Sequence, residues 1–209
     1  MNVVLYGATG MIGSRILKEL IARGHNVTVV ARDPKKIPAT AKVRALKGDV
    51  LDAESVASTA KGADAVISAY GPPPNATPLL VDSTRALIAG LKKTAVRRFL
   101  MVGGAGSLLV APGRDLIDAG LVPEEYQKIA VAHRDALEML KKADLDWTSL
   151  SPAAFIQPGE RTGKFRLGGD SLIADEQGNS KISAEDYAVA IVDELEHPKH
   201  IRQRFTLAY

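Results

Sequence analysis

Residues 1–20 read MNVVLYGATGMIGSRILKEL. The apolar run Val3-Val4-Leu5-Tyr6 stops at Gly7. A helical pattern follows at once, with Ile12, Ile16, Leu17, Leu20 and Ile21 at helical spacing and Gly24 as its stop. Gly7, Gly10 and Gly13 sit at the junction, where each costs conformational entropy that some use must offset. A helix N-terminus presents unpaired N–H groups and partial positive charge, a setting suited to a diphosphate. In that reading Gly7 makes the tight turn, Gly10 lets the backbone approach the phosphates, and Gly13 brings the helix close to the sheet. Thr9, Met11 and Ile12 complete the loop and first helical turn. The spacing is G-x-x-G-x-x-G rather than G-x-G-x-x-G, but its place between a strand and a helix points to dinucleotide binding.

Strand and helix patterns keep alternating outward from this junction. Strands are predicted at 26–31 (NVTVVA), 43–46, 64–68 (DAVIS), 98–102 (RFLMV) and 146–150 (DWTSL). Helices are predicted over 53–60 behind an Asp52 cap, over 77–94 and over 123–142. Such alternation predicts an α/β fold, a Rossmann-type doubly wound parallel sheet in the order 3-2-1-4-5-6. The tail reads differently. Residues 158–179 are rich in glycine and charge and predict loops and short strands; Ser183-Ala-Glu-Asp186 resembles a capping box ahead of a helix over 187–195. A last strand over 204–208 is a candidate to join the sheet. No linker or repeat divides the chain, so residues 1–209 are expected to form one domain, with about 153–209 supplying a small substrate-side lobe.

Composition excludes several classes. The chain has no cysteine, which removes disulfides, thiolate metal sites and a cysteine nucleophile. No apolar run reaches the roughly 18 residues that span a bilayer, and no basic leader precedes the first strand. A cytoplasmic protein without membrane contact is expected. The formal charge is +3, and the basic clusters 32–36 and 92–98 have few aromatics between them. They predict solvated surface rather than a nucleic-acid patch. His197-Pro-Lys-His200 has a metal-like interval, but Pro198 interrupts any helix face, so no metal is expected.

The end of the second strand bears on cofactor choice. An acidic residue there would hold the adenosine ribose hydroxyls, and an arginine would accept a 2′-phosphate. The sequence reads VVARDPKK over 29–36, so Arg32 comes first, with Lys35 and Lys36 behind it. Arginine pairs with phosphate through a planar fork. NADPH is therefore expected over NADH. Asp33 precedes Pro34 and reads as a cap for the next turn. Asp49 and Val50, in GDV after the third strand, fall near the expected adenine site.

GATGMIGSRI with VVARDP and GDV resembles the short-chain dehydrogenase/reductase superfamily in its extended and atypical branches. ISAYGPP, MVGGAGSL, LDWTSLSPAAF and the closing DYAVAIVDELEHPKHIRQRFTLAY narrow the resemblance to the atypical bacterial NAD(P)H-flavin reductase group. That group is related to biliverdin-IXβ/flavin reductase and more distantly to NmrA-like redox regulators. The resemblance implies cofactor contacts at Ala69, Tyr70 and Gly71 after the fourth strand and at Gly104 after the fifth. It implies that Pro152, Ala153 and Phe155 pass the nicotinamide, and that Ser107 lies where the superfamily places a substrate-bonding serine. His133 falls near the position of the superfamily lysine.

One signature fails. The superfamily's Tyr-x-x-x-Lys needs a lysine four residues after a tyrosine, and none of Tyr6, Tyr70, Tyr126, Tyr187 and Tyr209 has one; Tyr126 is followed by Ala130. This puts alcohol and sugar chemistry in doubt, because those reactions move a proton on a poor acid together with hydride. Flavins and linear tetrapyrroles accept hydride at a delocalised centre and take a proton from solvent or a weak donor. The expected function is thus an NADPH-dependent reductase of a flavin-like or other conjugated small-molecule acceptor, with flavin as substrate rather than bound cofactor, working as monomer or homodimer. The alternatives are a non-catalytic NADP(H)-binding redox sensor and an epimerase/dehydratase relative with a relocated acid. As candidate catalytic groups, Ser107 and His133 have different roles: Ser107 would bond the substrate. His133 would relay a proton, with a pH dependence starting from about 6.5.

Overall fold

The computed structural model describes residues 1–37 and 40–209. The first half runs β1 (Asn2–Tyr6), α1 (Met11–Ala22), β2 (Asn26–Ala31), β3 (Val43–Lys47), α2 (Ala53–Ala60), β4 (Ala65–Ser68), α3 (Leu79–Leu91) and β5 (Arg98–Val102). A short hairpin follows, β6 (Leu109–Ala111) and β7 (Arg114–Asp115), then α4 (Glu124–Lys141) and β8 (Asp146–Ser151). The tail holds β9 (Phe155–Gln157), β10 (Arg166–Gly168), β11 (Lys181–Ser183), α5 (Ala184–Glu196) and β12 (Gln203–Ala208).

The main sheet has the order β3-β2-β1-β4-β5-β8-β12-β10. All its pairings are parallel except β10 against β12. The first six strands reproduce the expected doubly wound order, and β12 adds a further parallel strand beside β8. Strand alternation divides the core between the two faces. Leu5, Ile67, Leu100 and Leu150 point to the face covered by α1 and α5, where Ile16, Leu20, Tyr187 and Ile191 meet them. Val4, Tyr6, Phe99 and Trp147 point to the other face, against Val56, Leu87 and Leu140 of α2, α3 and α4. Among the described residues no helix is long and apolar enough to cross a membrane.

Local caps follow the sequence. Asp52 Oδ1 accepts from the Glu54 N–H at 3.0 Å, and Asp33 Oδ1 accepts from the Lys35 N–H at 3.3 Å. Ser183 Oγ accepts from the Asp186 N–H at 3.0 Å, but the other half of the capping box is absent. The Asp186 carboxylate instead accepts from Thr162 Oγ1, the Gly163 N–H and Tyr209 Oη.

That diversion is part of a strap. The loop after β9 is tied to α1 and α5 by buried or half-buried carboxylates. Glu19 accepts two bonds from Arg161, both 2.8 Å, and one from Arg23. Glu185 accepts from the Gly159 N–H and from Arg15. The Arg161 guanidinium, with help from Arg23, holds the Glu19 carboxyl down to about 2 against its ordinary 4.5. A depressed carboxylate stabilises the fold above its unfolded value, and that contribution is lost as pH falls from about 4.5 to about 2. Glu19→Gln should therefore melt well below the parent at neutral pH, and the gap should close as pH approaches 2. Melting curves of both proteins across that range test it; a gap independent of pH would mean that Glu19 acts by shape and not by charge.

Candidate functional site

A cleft of about 730 Å³ opens at the C-terminal ends of the parallel strands, at the switch between β1 and β4. One wall is the β1–α1 loop. Gly7 is left-handed, with φ +79°, and a Cβ there would sit 2.2 Å from the Ala69 carbonyl oxygen. A Cβ at Gly13 would sit 2.0 Å from the Gly7 carbonyl oxygen. These two glycines are required by backbone meeting backbone, and Gly13 is packed rather than cleft-lining. Gly10 differs: a Cβ there would meet only the Gly7 oxygen, at 3.4 Å, an ordinary contact. Gly10 is also the N-cap residue of α1, and no side chain caps that helix. Thr9, Gly10, Met11 and Ile12 line the cleft, and uncapped first-turn N–H groups are a setting suited to a diphosphate.

Arg32 follows β2 at the cleft rim, exposed and without an ion pair among the described residues. It also borders a side pocket of about 140 Å³ with Asp49, Val50 and Tyr70. The Asp49 carboxylate accepts from the Leu51 N–H at 3.0 Å, so it shapes the turn that lines this pocket. Burial raises the Tyr70 phenol, while the Arg32 charge pulls it the other way. Ala69, Tyr70 and Gly71 line the main cleft after β4, and Pro152 and Ala153 line it after β8.

The far end is apolar. Leu116, Leu121, Val122, Tyr126, Ile129 and Ile156 line it. Tyr126 and Ala130 both reach this wall from α4, so a dyad built on Tyr126 would find an alanine four residues on, where it needs a lysine. His133, one turn further along α4, packs on the Gly103–Gly106 loop: a Cβ at Gly104 would lie 2.7 Å from the His133 Cβ. The ring's Nδ1 is sealed and has no hydrogen-bond partner among the described residues. Burial alone holds the imidazole down to about 4 from 6.5. That shift runs against a relay titrating near 6.5 and favours the uncharged ring at neutral pH.

Two expected residues stand away from the cleft. The Ser107 hydroxyl accepts from Arg204 Nη1 at 3.1 Å, as does its carbonyl at 2.9 Å, and Ser107 does not line the cleft. Arg204 fixes this loop by reaching across from β12 and pairing with Asp170. Phe155 is 52% exposed at the start of β9, while its neighbours Ala154 and Ile156 turn inward. Sequence reasoning missed the cleft residues Leu116, Leu121 and Val122, which lie in irregular chain with no periodicity to mark them. It also missed Tyr187, whose buried Oη donates to the Leu150 carbonyl at 2.5 Å. The Gly103 N–H donates to the same oxygen at 2.8 Å, so α5 helps fix the start of the glycine loop.

Residues 7–198 match the NAD(P)H-binding family. The chain belongs to that family. Three solved structures are similar to this NAD(P)H-binding protein over its whole length. A candidate exported protein from Burkholderia pseudomallei is 51% identical with a TM-score of 0.92, each chain covered completely. A candidate epimerase from Bacteroides thetaiotaomicron is 48% identical with a TM-score of 0.93, covering 100% of this chain and 96% of that one. A candidate NADH-flavin reductase from Streptococcus pneumoniae is 38% identical with a TM-score of 0.89, covering 100% and 99%. These neighbours agree with the Rossmann-type, atypical short-chain dehydrogenase/reductase resemblance that the motifs carry. The glycine loop, the uncapped helix and the open approach at Gly10 fit the family's dinucleotide.

Proposed function

We propose that this NAD(P)H-binding protein is an NADPH-dependent reductase of a flavin-like or similarly conjugated acceptor. The observation that carries the reading is the contrast between the two ends of one cleft. The near end is backbone, glycine and Arg32, suited to phosphates; the far end is apolar, and no lysine lines it among the described residues. When bound, NADPH supplies the hydride. The chain's task is placement. The α1 N-terminus and Gly10 hold the diphosphate, Arg32 favours the 2′-phosphate, and Asp49 and Val50 flank the adenine. Backbone at Pro152 and Ala153 orients the carboxamide. Leu121, Val122 and Ile129 keep water from the reacting face. The likeness to a flavin reductase supports this reading. The likeness to an epimerase supports a rival one, but a wall of leucine, valine and isoleucine offers a sugar's hydroxyls few partners.

The deciding experiment is a stopped-flow screen of NADPH oxidation with flavins, quinones, linear tetrapyrroles, aldehydes and nucleotide-sugars. Oxidation by one or more conjugated acceptors, and none by aldehydes, is expected. Binding of NADPH and NADP+ with equal affinity and no turnover of any acceptor would instead identify a redox sensor.

A further inference from the structure

His133 poses a problem that the cleft itself resolves. Its Nδ1 is sealed from solvent with no partner among the described residues. A neutral imidazole carries one proton and one lone pair on its two nitrogens. Buried N–H groups without an acceptor are rarer in proteins than acceptors without a donor, so the lone pair belongs on Nδ1. The proton then sits on Nε2. That nitrogen has no hydrogen-bond partner among the described residues and is not sealed, and His133 lines the cleft. Gly104 allows the arrangement, because the ring lies where a side chain on the loop would have to stand.

No charge in reach argues for a second proton. The glycine loop packed against the ring has no titratable group, and on α4 the cleft-lining neighbours are Ile129 and Ala130. The cleft's other titratable side chains are Arg32, Tyr70 and Tyr126. Burial among these apolar neighbours alone sets the ring's state, which supports the neutral form.

We infer that His133 is a neutral hydrogen-bond donor whose Nε2–H meets a lone pair on the acceptor, a carbonyl oxygen or an unprotonated ring nitrogen. This rests on the reductase reading above and narrows its substrate class. The donor orients the acceptor in an otherwise apolar pocket and steadies the negative charge that grows on that atom as hydride arrives. His133 keeps its proton. NADPH is oxidised by two electrons, the acceptor is reduced by the same two, and the proton that completes reduction comes from water.

Two measurements test it. In 15N-histidine-labelled protein, long-range proton–nitrogen correlation should show His133 as the Nε2–H tautomer throughout pH 5.5 to 8. An Nδ1–H tautomer or an imidazolium in that range would overturn the inference. Riboflavin binding to the NADP+-loaded protein, read by flavin fluorescence, gives the second. His133→Leu should weaken binding about tenfold, and His133→Gln, whose amide N–H reaches the same place, should recover all but about threefold. A leucine variant that binds like the parent, or a glutamine variant as weak as leucine, would reduce His133 to packing. Failure of the parent to bind riboflavin would count against the flavin reading itself, and the tautomer spectrum would then decide the histidine separately.

Discussion

Gly10→Val should fold normally and lose NADPH and NADH alike, by at least about a hundredfold, or about 2.8 kcal/mol. A Cβ at this position meets only the Gly7 oxygen, at 3.4 Å, an ordinary contact. Valine's branched side chain would stand where the diphosphate must approach the uncapped start of α1. Gly13→Ala should do the reverse. Its methyl group would lie 2.0 Å from the Gly7 carbonyl oxygen, and backbone cannot step aside as a flexible side chain can. A loss of about 1–3 kcal/mol in stability is expected, with the melting temperature falling by several degrees. Calorimetric titration with each cofactor, beside a melting curve, separates the two variants. Normal affinity in a folded Gly10→Val protein would remove the glycine loop from the site.

The second large effect concerns cofactor choice. Arg32→Ala should weaken NADPH about ten- to a hundredfold and leave NADH nearly unchanged, the loss expected for a charge-assisted contact to phosphate. Arg32 is exposed and holds no ion pair among the described residues, so its removal should leave the melting temperature where it was. The preference for NADPH should also shrink as salt rises, because a rim charge is screened within about 10 Å at 0.1 M. Equal weakening of both cofactors would assign Arg32 to the shared adenosine. A lower melting temperature would assign it to the fold.

The sheet order and the glycine-loop wall of the cleft were legible in the sequence because local rules govern them. A strand, three glycines and a helix are neighbours in the chain, and Arg32 follows β2 directly. What escaped is held together by residues far apart. Glu19 and Arg161 are 142 positions apart, and Ser107 meets Arg204 across 97. No periodicity reports such pairings, and Ser107, expected as a substrate contact, has its hydroxyl bonded to Arg204 and does not line the cleft. The β6–β7 hairpin and β10 are too short for alternation to show. His133 was legible as a position but not as a state: burial moves its titration to about 4, and burial is a tertiary property.

The cleft's two ends are made of different material, and this bears on how such a protein can change. Near the cofactor, Gly7 and Gly13 touch other backbone, so almost any replacement there disturbs the fold before it alters chemistry. At the far end, Leu121 and Tyr126 are about 60% exposed, and exchanges there leave the core untouched. A saturation library sorted only for folding should therefore come back lopsided, depleted at the glycine loop and permissive along the start of α4. Descendants of this sequence can reshape the far end one surface side chain at a time, while inheriting the glycine loop intact.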